Sequence, residues 1–293
     1  MPIVYDAPLF RPPSEGNNLI IQATLGCSFN RCTFCSMYKS KDYAARPLAD
    51  VFADIAAAAK AWPDASRVFL ADGDALALPM DSLRAILGEL AKELPDLNRV
   101  SAYATPQNLL QKSAEELAEL KALKLSLVYL GIESGATPIL KRIRKGASQK
   151  TLVRALAKAR AAAVKVSATV ILGLGGQDHW QEHARATAEL INREPPTYLS
   201  TLQLTLEEAA HDGFLAAQGA EFRFQDDDGI LAEQEMLLSL LDPPRPVIFR
   251  SNHASNCLAL AGNLPKDRGR LLAEIAAARA GAAPLRPLHA RGL

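Results

Sequence analysis

Short apolar runs alternate with longer amphipathic stretches through the first two-thirds of the chain. Residues 19–23, 68–71, 100–104, 125–132, 164–172 and 198–205 each read as a buried strand, the clearest being Leu125-Ser126-Leu127-Val128-Tyr129-Leu130-Gly131-Ile132. Between them, helical patterns are predicted over about 48–61, 79–93, 113–123, 136–143, 148–163 and 178–193. Pro79 stands near a helix start and Ser113 at an N-cap position. Apolar strands alternating with helices argue for parallel β/α units. Right-handed crossovers would curl six such units into an incomplete (β/α)6 TIM-like barrel. The expected class is therefore α/β.

Past residue 205 the rhythm changes. The acidic trio Asp226-Asp227-Asp228 reads as a solvated loop ahead of a helix over about 230–241. A proline-rich turn, Asp242-Pro243-Pro244-Arg245-Pro246, leads into a strand over 247–250, and a helix follows over about 266–281. The last dozen residues read as frayed. The expected organisation is an irregular lead-in over 1–17, a core over 18–205, and a C-terminal α/β extension over 206–293 packed on that core.

The 293 residues suffice for one large α/β barrel. Apolar residues make up 49% and charged residues 22%, as in soluble globular chains. A net charge of +1 gives no basic surface for nucleic acid or an anionic membrane. No apolar run reaches the roughly 18–20 residues needed to span a bilayer. The N-terminus lacks a secretory pattern, so a cytoplasmic protein is expected.

Four cysteines occur, and three of them, Cys27, Cys32 and Cys35, are spaced C-x4-C-x2-C directly after the first strand. Three thiolates on one loop form an incomplete metal site. At the C-terminal end of a strand, that is where α/β barrels keep their chemistry. Read alone, the trio also suits zinc, with water or Cys257 as fourth ligand. Phe34 alone reads as core packing, and Asp72-Gly73-Asp74 as a simple turn. Isolated Cys257 reads as a buried apolar thiol.

Four blocks give the chain its resemblance to the radical S-adenosylmethionine superfamily, closest to short members related to methylthiotransferases and oxygen-independent coproporphyrinogen dehydrogenases. They are the cysteine loop with Phe34 before Cys35, Val68 to Asp74, Gly131-Ile132-Glu133-Ser134-Gly135 with Lys145-Gly146, and Val170 to Gly176. The first cysteine gap is one residue longer than the family's common C-x3-C-x2-C. Thr169 and Gly176 also stand where a glycine and an acid are commoner.

The resemblance implies a [4Fe-4S] cluster on Cys27, Cys32 and Cys35, with S-adenosylmethionine on the remaining iron. It implies reductive cleavage to a 5′-deoxyadenosyl radical that abstracts hydrogen from a substrate. It implies that Asp74 or Asp72 receives the methionine ammonium, with Gly73 allowing close approach. Lys145 or Arg144 would meet the carboxylate and Glu133 the ribose. Phe34, Leu172 and Gly173 would hold the adenine. A low-potential donor of flavodoxin or ferredoxin type is implied as partner. The reaction, oxidoreductase or transferase, and its substrate stay open. The alternative is a zinc-binding or non-catalytic cluster protein on the same fold. Arg250 to Asn256, polar at six of seven positions, follows the late strand and resembles a run in the same subgroup. His253 is its candidate catalytic acid/base.

Overall fold

The computed structural model describes residues 3–219 and 222–292. A short strand β1 (Leu19–Gln22) enters the cysteine region through β2 (Thr24–Leu25), which pairs with β3 (Ala44–Ala45). Helix α1 (Leu48–Ala61) starts directly after Pro47 and buries Val51, Ile55 and Ala58, one stripe at helical spacing. Strand β4 (Arg67–Ala71), helix α2 (Met80–Glu93) and strand β5 (Arg99–Ala104) complete the next repeat. Two short helices follow, α3 (Pro106–Gln111) and α4 (Ala114–Ala122), each opened by a capping box, from Thr105 with Asn108 and from Ser113 with Glu116.

Strand β6 (Leu125–Glu133) is followed by α5 (Thr137–Arg142) and α6 (Gln149–Ala161), then β7 (Lys165–Leu172), α7 (Gly176–Arg193) and β8 (Tyr198–Gln203). The last stretch holds α8 (Glu208–Gln218), α9 (Asp227–Leu240), β9 (Val247–Ser251), β10 (Leu260–Leu264) and α10 (Arg268–Arg279). Strands β4 to β6 are buried almost throughout, as expected of parallel strands covered on both faces.

The sheet is mixed and open, with strand order β1-β4-β5-β6-β7-β8-β9-β10. The six strands predicted over 19–205 are its first six, and the one predicted over 247–250 is its seventh. Two more belong to the same sheet: β9, parallel to β8, and β10, antiparallel to β9. By its contacts the chain forms two compact units, Met1–Asn30 with Met37–Leu130 and Ala157–Val166, and Arg31–Ser36 with Gly131–Leu156 and Ser167–Leu293. Strands β6 and β7 contribute residues to both.

In the first unit, Phe69, Tyr103 and Tyr129 meet edge-to-face at 5.2–6.1 Å. The lead-in is more than irregular chain. Its Glu15 is fully buried, accepting from Arg99 at 2.9 Å and from the Tyr129 hydroxyl at 2.5 Å. A buried carboxylate needs such partners.

In the second unit, α7 packs against α9. The acidic trio is not a free loop. Asp226 caps α9, accepting from Gly229 N–H at 2.9 Å, while Asp227 pairs with Arg291 and Asp228 with Arg279. These acids sit at the positive end of a helix dipole. The tail is also held rather than frayed. Arg286 donates to the carbonyls of His253, Ala254 and Asn256, and Arg291 donates to Asp227.

Candidate cofactor site

The start of the cysteine loop is fixed by β1 and β4 running in parallel beyond their last residues. Ala23 N–H donates to Ala71 O at 2.6 Å, Asp72 N–H to Thr24 O at 3.1 Å, and Gly73 N–H to Gly26 O at 3.0 Å. Gly26 takes a left-handed φ of 66°, and a side chain there would meet Asp42 O at 2.9 Å. Its N–H donates to Asp72 Oδ2 at 3.1 Å. Asp72 is fully buried and receives Lys41 Nζ at 3.1 Å. Burial raises its pKa, partly offset by Lys41.

Gly73 lies beneath two side chains. An added Cβ would stand 2.5 Å from the Tyr38 ring and 3.1 Å from Cys27 Cβ. Asp74 is fully buried and accepts from the Ser28 hydroxyl. Lys112 is buried as well; burial lowers its pKa, against the pull of Glu116 and Asp74. The first unit therefore gathers Cys27, Gly73 and Asp74, and adds Lys112, which no local pattern announces.

The second unit gathers Cys32, Cys35, Glu133 and Lys145. Thr33 N–H donates to Ile143 O at 3.0 Å, fastening the loop between the two thiols to the end of α5. Lys145 Nζ donates to Glu133 Oε1 at 2.9 Å. Burial works against the ammonium, but Glu133, with negative charge on the Cys32 and Cys35 sulfurs, outweighs it and holds the lysine pKa above its ordinary range. Arg144, weighed equally by sequence, is exposed. Lys145 and Glu133, expected at different ends of the cofactor, meet each other.

Gly131 explains that glycine in the block. A Cβ there would lie 1.9 Å from Glu133 Oε1 and 2.7 Å from Lys145 Nζ. Glu133 itself takes φ 63°, sparsely populated for a residue with a side chain. Its carbonyl accepts from His183 Nε2 at 3.2 Å. His183 Nδ1 lies 2.7 Å from Glu233 Oε1, and both Glu233 oxygens accept from Gly173 N–H at 3.2 Å. Gly173 has φ 90°. His183 and Glu233 were not foreseen; one lies mid-α7 and the other mid-α9, with nothing nearby in sequence to mark them.

Phe34 is half-buried and Leu172 buried. His253 is half-buried and bonded within its own loop, its Nδ1 accepting from Ser255 N–H at 3.2 Å. Asn256 ties that loop to β8, accepting from Gln203 N–H at 2.7 Å and donating to Thr201 O at 2.8 Å. Asn256 and Cys257 line a small cavity at the ends of β7 and β8 with Leu172, Gln203 and Gln234. Burial, with a lesser push from Asp227, raises the Cys257 thiol to about 11, a poor state for a thiolate ligand. Among the described residues, no three His, Cys, Asp or Glu side chains are gathered as the ligands of one ion are.

The profile of the Radical SAM superfamily matches residues 21–190, over half of the chain. The chain belongs to the Radical SAM superfamily. A protein named "Putative methylthiotransferase" of Methanocaldococcus jannaschii is 28% identical over 161 residues, 54% of this radical SAM chain and 36% of its own length. Coproporphyrinogen III oxidase (HemN) from Escherichia coli, a radical SAM enzyme, superposes with a TM-score of 0.57 at 15% identity, covering 76% of this chain and 52% of its own. The radical S-adenosylmethionine methyltransferase TsrM from Kitasatospora setae, with cobalamin and a [4Fe-4S] cluster bound, gives 0.52 at 20% identity, covering 64% and 36%. The chain thus spans 36–52% of these relatives' lengths. At such identities the two structural likenesses show the fold.

Proposed function

We infer that this chain is a radical S-adenosylmethionine enzyme whose substrate is a hydrogen-atom donor of unassigned identity. Cys27, Cys32 and Cys35 would hold a [4Fe-4S] cluster. When bound, the cluster supplies a low-potential electron, and S-adenosylmethionine the carbon–sulfur bond that it breaks to start hydrogen abstraction. The observation that carries the reading is the half-buried Lys145, ion-paired to Glu133 at 2.9 Å on the same unit as Cys32 and Cys35. A cation beside two cysteines stabilises their thiolate form, the form that ligates iron.

The family match supports the same reading, and so do the donors at hand. Three thiols leave one iron of a cubane without a protein ligand. Asp74 is an acceptor for the methionine ammonium, and Gly73 lets that turn pass close beneath Cys27. Glu133 is the ribose acceptor, with Lys145 setting its orientation. Phe34 and the Gly173 loop border the adenine. His253 remains the candidate acid/base toward the substrate.

In this reading residues 18–205 are the cofactor-binding core and 206–293 the C-terminal extension. A flavodoxin- or ferredoxin-type protein is the proposed electron donor. No described helix is long and apolar enough to cross a membrane.

Anaerobic reconstitution tests this reading. Iron and sulfide near about four each per chain, with 5′-deoxyadenosine formed after dithionite and S-adenosylmethionine, are expected. Stoichiometric zinc with no nucleoside product would refute it in favour of a structural metal.

A further inference from the structure

We propose that His183 and Glu233 are positioning residues of the S-adenosylmethionine site, joining the Glu133 backbone to the Gly173 loop; this rests on the function inferred above. The geometry is a closed chain of bonds. Glu133 carbonyl offers only an acceptor, so His183 Nε2 carries the proton at that 3.2 Å contact. One further proton lies between His183 Nδ1 and Glu233 Oε1, 2.7 Å apart. Glu233 then takes the Gly173 N–H. His183 is 1% exposed and Glu233 fully buried, so water does not substitute for either.

The Glu133 end of this chain is a backbone position that needs holding. Glu133 sits at φ 63° and Gly173 at φ 90°. A side-chain residue in the left-handed region persists only where surroundings over-determine it. The His183 bond to the Glu133 carbonyl is such a constraint. It fixes the peptide from which the Glu133 carboxylate projects toward Lys145. Glu233 belongs to α9, outside the matched residues 21–190. The C-terminal segment therefore completes the ribose and adenine end of the site without touching the cofactor.

The test compares reconstituted wild type with His183→Phe, Glu233→Leu and Glu233→Gln, measuring affinity for S-adenosylmethionine and for 5′-methylthioadenosine by equilibrium dialysis. The expected result is a loss of about tenfold or more in the first two variants, equal for both ligands because the shared adenosyl end is what loosens. Glutamine at 233 can still accept from Gly173 and bond to His183 Nδ1, so it should bind within about threefold of wild type. Iron content and the electron paramagnetic signal of the reduced cluster without ligand should not change.

Wild-type affinity in folded His183→Phe and Glu233→Leu overturns the proposal. If those variants do not fold, His183→Gln decides: it keeps an N–H near the Nε2 position and drops the bond to Glu233. A weakened adenosyl ligand in it supports the coupling, and unchanged affinity overturns it. A wild-type protein that binds neither ligand sinks the functional reading itself, and the positioning role with it.

Discussion

Replacing Gly131 with alanine should cost more than its single methyl suggests. The new Cβ would stand 1.9 Å from Glu133 Oε1, and ordinary contact begins at 3.4 Å, so that oxygen must retreat by 1.5 Å (3.4 minus 1.9). Its partner Lys145 Nζ, 2.7 Å from the same point, must move as well. The side chains are 8% and 14% exposed, which leaves little open space for the shift. If the pair moves intact, overpacking costs about 1–3 kcal/mol. If the pair breaks, a buried charge is left alone and the cost rises to about 3–5 kcal/mol.

The assay is anaerobic urea unfolding of wild type, Gly131→Ala, Glu133→Ala and the double variant. The oxygen that clashes is absent in Glu133→Ala. Adding the alanine at 131 to that background should therefore cost under about 1 kcal/mol, a clear departure from additivity. Gly88→Ala supplies the opposite sign. Nothing lies within 4 Å of a Cβ at that exposed position in α2, so it should stabilise by about 0.5–1 kcal/mol. Additive costs for 131 and 133 would show that Glu133 and Lys145 do not occupy the space over Gly131.

Gly73→Ala should push the Tyr38 ring and Cys27 Cβ aside, at a cost of about 1–3 kcal/mol and with iron incorporation reduced; iron analysis with urea unfolding checks both. Alanine at Cys27, Cys32 or Cys35 should abolish bound iron. Alanine at Cys257 should leave it unchanged, and visible absorption after reconstitution separates the two sets. The Cys257 thiol, raised to about 11, should resist iodoacetamide at pH 8 in the folded protein and react on unfolding, as mass spectrometry would show. Because the folded value exceeds the unfolded one near 9.0, stability is full below that pH and falls by up to about 2–3 kcal/mol as pH rises through about 11. A Cys257→Ala variant should lose that slope. Arg286→Ala removes the donor shared by the carbonyls of His253, Ala254 and Asn256, and limited proteolysis should then cut near 253–256 well before the wild type.

What was legible in the chain was what local chemistry encodes. Strands β1 and β4 to β6 are largely apolar because both faces are covered, and that composition is visible without a partner. Strand β10 was not seen because Leu260-Ala261-Gly262-Asn263-Leu264 carries a glycine and an asparagine, poor strand formers. Pairing with β9 settles its state. Helix α3 was overlooked as six residues of connection, although Thr105 and Asn108 form a capping box there. Helix α8 was likewise not predicted; it buries only Ala210 and Phe214 among its described residues. The acidic trio misled because charge density reads as solvation, while the arginines that neutralise it lie 51 and 64 positions away.

The same distinction divides the site. Cys32, Cys35, Glu133 and Lys145 announce themselves because each belongs to a short block whose chemistry is local. His183 and Glu233 do not, being single polar residues within helices and separated by 50 positions. A buried histidine in an amphipathic helix has the same sequence signature whether it fills space or holds a strained carbonyl. Only the fold distinguishes the two, by placing an acceptor at Nε2 and a carboxylate at Nδ1. Gly131 is the intermediate case. Its place in a Gly-x-Glu block is visible, but the physical reason, the volume of an ion pair whose partners are 12 residues apart, becomes visible only once Lys145 is brought back over the end of β6.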